Sequence, residues 1–258
     1  MNQSSRSIPI LMYHAVGHPV SCKRDTFLNV SAESFRRQMR ALAALGYRGQ
    51  TFASVVEAFG AGKSLPRRTF AITFDDAYDC VREAAAPLLI QHAFPATLFV
   101  VPAWTNKSER VGSENGRMNL PVMNWDALQS LLSHGWEAAG HTRSHPHLDA
   151  MCDAEASEEI LQGKRETEAR LNTTLHTFCY PFGHYNARTP SLVREAGFAG
   201  ACTVRSGLAT GASDLYALPR IKISYRDGVF GLLYRLLVRP SLPTFRRNRR
   251  SHAAAAVR

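Results

Sequence analysis

The feature that most constrains the fold is a regular alternation of short apolar runs and amphipathic segments along the 258 residues. The apolar runs are nearly continuous, which is typical of strands buried on both faces of a parallel sheet. The segments between them repeat apolar residues at helical spacing and are long enough to be crossover helices. The sequence therefore predicts seven strands, over residues 8–15, 69–74, 96–101, 136–141, 177–182, 198–204 and 218–223.

This alternation predicts an α/β fold in which helices cover a parallel sheet. Seven strands are enough for a closed or nearly closed β/α barrel, and the length suits a single domain. We assign residues 1–225 to this barrel and residues 226–258 to a basic amphipathic C-terminal helix and tail. The helices are expected over residues 31–46, 51–60, 78–92, 124–135, 153–172 and 187–197.

The positive charge of the chain is concentrated near its C-terminus. The net charge is +10, and seven arginines lie between residues 226 and 250 with Leu, Phe and Tyr between them. This pattern suits an anionic membrane surface, although a solvated helix with a frayed basic tail would have the same composition. No recognition helix or aromatic-interleaved basic sheet is evident, so no nucleic-acid partner is expected.

The expected location is the cytoplasm, with peripheral association at the inner membrane face. The five cysteines are scattered and form no C-x-x-C pair, which argues against a disulfide framework or a structural zinc site and suits a reducing compartment. The first twenty residues show no secretory hydrophobic region.

Polar clusters follow several of the predicted strands, where the chemistry of a β/α barrel collects. Asp75 and Asp76 follow the run ending at Phe74, while His141 and His145 follow the strand at 136–141. A carboxylate and two imidazoles are a common zinc ligand set, which leaves a position for water and lowers its pKa toward about 7. One aspartate could instead cap a helix, and an H-x-x-x-H spacing is often accidental.

Three sequence motifs carry a resemblance to a known family. They are TFDD at 73–76, HTRSH at 141–145 and FCYPFGHYN at 178–186. Together they resemble the motifs of the polysaccharide deacetylases, the NodB-homology group called carbohydrate esterase family 4. The resemblance spans roughly residues 8–225 and implies a distorted (β/α)7 barrel that performs metal-dependent N-deacetylation.

The resemblance also implies roles for individual residues. Asp75 matches the catalytic base, and the metal ligands match Asp76, His141 and His145. The metal is expected to be zinc, with cobalt or nickel as substitutes. The backbone N–H near Phe182 matches the oxyanion donor, in the same element as Tyr180. His147 is interpreted as an outer or exposed residue because Pro146 separates it from His145.

The chain departs from the family pattern in the motif that supplies the general acid. That motif, L-x-x-H, is absent near the C-terminus, but LMYH at residues 11–14 has its spacing. The motif order is thus permuted, as in the bacterial exopolysaccharide deacetylases. His14 is therefore the expected acid and Leu11 part of an acetyl-methyl pocket, although His14 could also be a core histidine.

A second departure concerns the arginine that orients the base. The third motif lacks it, and Arg220 is the expected replacement, held by a neighbour such as Asp214. A plain structural ion pair is the alternative for Arg220. Trp104 and Trp125 flank a long polar loop over 102–123, a candidate lid, where either could stack on a sugar or pack in the core.

The expected function is metal-dependent hydrolysis of the acetamide of an N-acetylated amino sugar in a polysaccharide or lipid-linked glycan. Asp75 would deprotonate the attacking water, and His14 would protonate the departing amine. Two alternatives remain open at this point: hydrolysis of another small C–N amide on the same fold, and a non-catalytic carbohydrate-binding relative. The intact set of Asp75, Asp76, His141 and His145 counts against both alternatives.

Overall fold

Seven parallel strands form a closed ring in the computed structural model, which describes residues 7–18, 27–105, 118 and 120–238. The first strand closes the ring, because it pairs with the last strand on one side and with the strand carrying the aspartates on the other. All seven predicted strands are present. In their order around the ring they are β1 (Ile10–Tyr13), β5 (Thr69–Asp75), β6 (Thr97–Val100), β7 (Glu137–Gly140), β8 (Thr177–Cys179), β9 (Gly200–Ser206) and β10 (Leu218–Lys222).

Three short strands were not predicted. β4 (Arg48–Gln50) pairs with the start of β5, and β2 (Ala15–Val16) pairs with β3 (Asn29–Val30) in a separate two-stranded sheet. Each is too short to produce a recognisable alternation. The predicted strand 177–182 ends three residues early, because the chain turns into a 3-10 helix over Pro181–Gly183.

The predicted helices surround the ring, and side-chain caps fix where several of them begin. Ser31, Thr51 and Asn124 each accept a hydrogen bond from a backbone N–H three residues later. The helix predicted over 78–92 is two helices, since Pro87 permits a new start but no continuation. The helices are α1 (Ala32–Ala44), α2 (Phe52–Gly60), α3 (Asp79–Ala84), α4 (Ala86–Gln91), α5 (Trp125–Leu132), α6 (Asp153–Leu171), α7 (Thr189–Glu195) and α8 (Val229–Leu233).

Alternate residues of each strand face two different cores. The inner core fills the barrel and includes Ile10, Phe99 and Cys179. The outer core lies between the strands and the helices and includes Leu11 and Tyr13, whose hydroxyl donates to Gln38 of α1 at 2.9 Å. Because successive side chains of a strand point to opposite faces, this alternation decides which strand residues reach the barrel axis.

The C-terminal part of the described chain packs on the barrel. Leu232 of α8 and Leu236 in the following π-helical turn are buried in the outer core, and α8 contacts α1. Arg235 pairs with Asp227 at 3.0 Å. Residues 239–258, which hold most of the predicted basic tail, lie outside the described residues. No helix in the described part of the chain is long and apolar enough to cross a membrane.

Candidate active site

A buried ion pair lies at the carboxyl end of the barrel strands. Arg220 of β10 donates from Nη1 to Asp75 Oδ1 at 2.6 Å and from Nη2 to Asp75 Oδ2 at 2.8 Å. Burial acts to raise the pKa of Asp75, but the Arg220 guanidinium holds that pKa well below its usual range. Asp75 is therefore ionised and fixed in orientation, as a general base must be.

Arg220 is itself held by three other groups, none of which is Asp214. Its Nε donates to the Thr203 carbonyl at 3.0 Å, Nη1 donates to Thr73 Oγ1 at 3.0 Å, and Nη2 lies 3.1 Å from Cys179 Sγ. The predicted support from Asp214 was wrong, because that carboxylate accepts from the backbone N–H of Tyr216 two residues later. The Arg220 guanidinium group is thus fixed by residues on other strands of the barrel.

Asp76, His141 and His145 meet beside this pair. Asp76 Oδ1 lies 3.7 Å from His141 Nε2 and 3.6 Å from His145 Nε2. All three residues are buried, and Asp76 Oδ1 has no hydrogen-bond partner among the residues that the structure describes. A carboxylate oxygen left unpaired in a buried site is costly unless a cation accompanies it. The donor set and its spacing fit a zinc-type ion.

The two imidazoles differ in their surroundings. His141 Nδ1 lies 2.7 Å from the Cys179 carbonyl oxygen, so Nδ1 carries a proton and donates to that oxygen, while Nε2 faces Asp76. Burial opposes a charge on His141, yet its contacts with Cys179 and the two carboxylates raise its pKa to about 9. Burial lowers the pKa of His145 to about 4, so that this ring is neutral at pH 7.

Unusual backbone conformations cluster at these candidate metal ligands. Asp76, Thr142 and His145 have φ values of 72°, 63° and 66°, in the left-handed region that most side chains avoid. The His145 N–H donates to Thr142 Oγ1 at 2.9 Å, which closes the turn between the two histidines. Strain of this kind persists only where surrounding contacts impose it, and it is often found at functional sites.

Two residues of α6 impose the shape of this ligand loop, and the sequence analysis missed both. Glu159 accepts hydrogen bonds from the backbone N–H groups of Arg143 and Ser144 and from the Ser144 hydroxyl, at 2.8–3.1 Å. Gly163 packs so closely that a Cβ there would lie 2.5 Å from the Thr142 carbonyl carbon. A glycine inside a long helix was the one available signal of such a close approach.

His14 follows β1, the strand that pairs with β5, and its imidazole lies beside Asp75. Its Nε2 lies 3.8 Å from Asp75 Oδ2, and 15% of its side chain is exposed. Burial lowers the pKa of His14, and the charge of Asp75 works against that effect. The imidazole is thus at the site and is also in contact with solvent.

The other predicted site residues divide into those near the ligands and those away from them. The Phe182 ring lies 4.5 Å from the His145 ring, and Phe182 has a φ of 57°. Leu11 is packed in the outer core, and the Tyr180 hydroxyl donates to the Tyr216 carbonyl at 2.8 Å. The structure does not bring the Leu11 or Tyr180 side chains to the carboxylates, because both side chains are packed in the outer core.

The tryptophans and the candidate lid are only partly described. Trp104 is buried with its ring 5.0 Å from that of His145, and Trp125 is partly buried against the outer core. Of the loop at 102–123, residues 106–117 and 119 lie outside the described residues, so the lid remains a prediction. His147 is exposed, as predicted.

Comparison with known proteins gives one consistent result. The model of the family described as polysaccharide deacetylase matches residues 62–201. Two relatives named poly-beta-1,6-N-acetyl-D-glucosamine N-deacetylase are each 26% identical to this chain. The one from Escherichia coli (strain K12) aligns with 77% of this chain and 34% of its own length. The one from Staphylococcus aureus (strain MRSA252) aligns with 79% of this chain and 71% of its own length.

The structural comparison extends over most of the chain. The Streptococcus pyogenes deacetylase PplD, solved in complex with acetate, superposes with a TM-score of 0.78 and 25% identity. The match covers 90% of this chain and 99% of that one. The residues matched by the family model include Asp75, Asp76, His141 and His145 but not His14 or Arg220. The chain belongs to the polysaccharide deacetylase family of hydrolases, on a (β/α)7 barrel.

Proposed function

We propose that this protein is a metal-dependent N-deacetylase that hydrolyses the acetamide of an N-acetylated amino sugar in a polysaccharide or lipid-linked glycan. The observation that carries the proposal is the buried Asp76 Oδ1, which faces two imidazoles and has no hydrogen-bond partner within the described part of the chain. It lies directly beside the Asp75–Arg220 pair. A family relative that only bound carbohydrate would have no need to keep this costly arrangement of buried charges.

Asp76, His141 and His145 would hold the metal, with zinc the proposed ion and cobalt or nickel as substitutes. When bound there, such an ion supplies Lewis-acid polarisation of the amide carbonyl and lowers the pKa of a water molecule. The Cys179 carbonyl orients the His141 ring, and the hydrogen bond from the His145 backbone N–H to Thr142 Oγ1 fixes the turn that carries His145.

The remaining steps depend on groups of the chain. Asp75, kept ionised by Arg220, takes the proton from the attacking water. The backbone N–H near Phe182, in the turn beside His145, donates to the oxygen that becomes negative at the tetrahedral carbon. His14 gives a proton to the departing amine as the C–N bond breaks, which yields acetate and a free amino sugar.

The names of the relatives support β-1,6-linked poly-N-acetylglucosamine as the first substrate to test. The exposed C-terminal aromatics support a lipid-linked glycan at an anionic membrane surface. Phe230 is 90% exposed and Tyr234 is 49% exposed in the helical segment that leads into the arginine-rich sequence. Aromatic rings beside arginines are typical of membrane-surface helices. The cytoplasmic location stays part of this proposal.

Acetate release tests the reaction directly. The full-length protein is stripped with a chelator and assayed on N-acetylglucosamine oligomers and on a lipid-linked glycan extract, before and after zinc or cobalt is restored. We expect release only with metal, and none from Asp76→Asn. The matched control is Asp126→Asn, which alters a carboxylate in the first turn of α5 and should keep full activity.

Two outcomes would contradict the proposal. Acetate release that is unaffected by the chelator would remove the metal from the reaction. No acetate from any acetylated sugar, with one metal bound per chain, would favour hydrolysis of another small amide. The membrane component fails separately if deletion of residues 239–258 leaves vesicle binding and activity on the lipid-linked substrate unchanged.

A further inference from the structure

A second group of metal-type ligands lies on the surface, outside the buried set. His147 Nδ1 is 3.0 Å from His184 Nδ1, and His184 Nδ1 is 3.8 Å from Asp149 Oδ1. One ligand atom from each of the three residues lies within 4.8 Å of the other two, and all three residues are exposed. None of them belongs to the set formed by Asp76, His141 and His145.

The spacing of these atoms suits a small transition-metal ion. Ligands held at 2.0–2.1 Å around a tetrahedral zinc are separated from one another by about 3.3 Å. The two observed separations, 3.0 Å and 3.8 Å, lie on either side of that value. Two imidazoles and one carboxylate favour zinc, nickel or copper over calcium or magnesium, which prefer oxygen ligands. A fourth position would remain open to solvent.

The fold holds these side chains in place. The His147 ring stacks on the Phe182 ring with a centroid separation of 4.1 Å and an interplanar angle of 5°. Asp149 lies in the 3-10 turn Leu148–Ala150, and His184 ends the turn Pro181–Gly183. A site whose ligands are already restrained loses less side-chain entropy when an ion binds than one built from free surface residues.

We propose that His147, Asp149 and His184 form a second, surface site for a divalent transition metal. The site joins two segments that are also in contact through their rings, namely the loop after His145 and the turn that carries Phe182. Its occupation fixes the Phe182 turn relative to the buried ligands. Because the two sites share no residue, the surface site binds its ion whether or not the buried site is filled.

Metal stoichiometry of the full-length protein tests this proposal. Chelator-stripped wild type, Asp76→Asn, His184→Gln and the double variant are dialysed against zinc, and bound zinc is measured by elemental analysis. We expect two equivalents in wild type, one in each single variant and none in the double variant. His134→Gln, which removes an exposed histidine at the end of α5, should retain two.

A second readout does not depend on counting ions. Zinc should raise the unfolding temperature of Asp76→Asn and leave that of Asp76→Asn/His184→Gln unchanged, because only the first keeps a site. Asp149→Asn gives an independent variant in case His184→Gln disturbs the turn. The proposal is overturned if wild type binds a single equivalent and His184→Gln retains it. It is equally overturned if the second equivalent survives in both His184→Gln and Asp149→Asn, or is lost in His134→Gln.

Discussion

The buried Asp75–Arg220 pair leads to the sharpest prediction. Arg220→Met removes the cation and leaves Asp75 as an uncompensated charge in a site where it is 3% exposed. Breaking a buried pair in this way costs about 3–5 kcal/mol, against about 5–15 kcal/mol for the stability of a whole domain. The matched control is Arg143→Met, which removes the partner of Glu166 in an exposed pair of 2.7 Å. An exposed pair contributes about 0–1 kcal/mol.

Urea unfolding measures this difference, and its pH dependence has a definite sign. The folded-state pKa of Asp75 is depressed, so the pair contributes stability above the unfolded-state value of 3.8 and loses it as the pH falls toward the folded-state pKa. The difference in stability between wild type and Arg220→Met should therefore be largest near neutral pH. Without the guanidinium, burial raises the pKa of Asp75, and the acid limb of the activity profile should move to higher pH.

A double variant separates the pair from its surroundings. Arg220→Met/Asp75→Leu leaves neither charge buried, so it should recover much of the stability that Arg220→Met loses, while remaining inactive. The reasoning is refuted if Arg220→Met is no less stable than Arg143→Met. The reasoning also fails if the activity of Arg220→Met falls at the same acidic pH as that of wild type, since Asp75 would then not depend on Arg220 for its ionisation.

Three further predictions concern the neighbourhood of the site. Gly163→Ala should lower acetate release at least about tenfold, because the added Cβ would push the ligand loop away. The control is Gly60→Ala, whose added Cβ would have its nearest neighbour at 3.7 Å and which should leave activity unchanged. Burial raises the pKa of Glu137 in the folded protein. The wild type therefore loses stability as the pH rises through the folded-state pKa, because the buried carboxyl group then has to ionise. The stability of Glu137→Gln relative to wild type in urea should thus increase between pH 5 and pH 8, by about 1.4 kcal/mol per unit of pKa shift; a constant difference would contradict this. Burial also raises the pKa of the Cys179 thiol, so iodoacetamide should modify the exposed Cys152, detected by mass spectrometry, and leave activity intact. Loss of activity with Cys179 alkylated would show that the thiol is accessible.

The ring strands and the clustering of Asp76, His141 and His145 were predictable because their signals are local. Each ring strand is an apolar run that ends in a polar cluster, and parallel strands bring those clusters to one end of the barrel. This is how Asp76, His141 and His145, on two separate strand ends, come together. Strands of two or three residues, such as β2 and β4, carry no such signal.

The predictions that failed needed information about which face a residue takes or what it contacts far along the chain. Leu11 matches a family motif by spacing, but its position in β1 points toward the helices. The partners of Arg220 lie 17, 41 and 147 residues away along the chain. The many charged residues of α6 predict a solvent-exposed helix. Nothing in its sequence indicates that Glu159 holds the ligand loop.

The order of the strands around the ring has a consequence for how the enzyme forms during synthesis. The ring closes when β10, the last strand to be made, pairs with β1, the first, so more than 200 residues must be synthesised before closure. Pairings this distant in sequence form slowly. Asp75 acquires its counter-ion in the same event, because Arg220 is carried by β10. A nascent or truncated chain that lacks β10 therefore exposes strand edges and leaves the Asp75 carboxylate uncompensated. The buried ion pair and the closed barrel thus arise together.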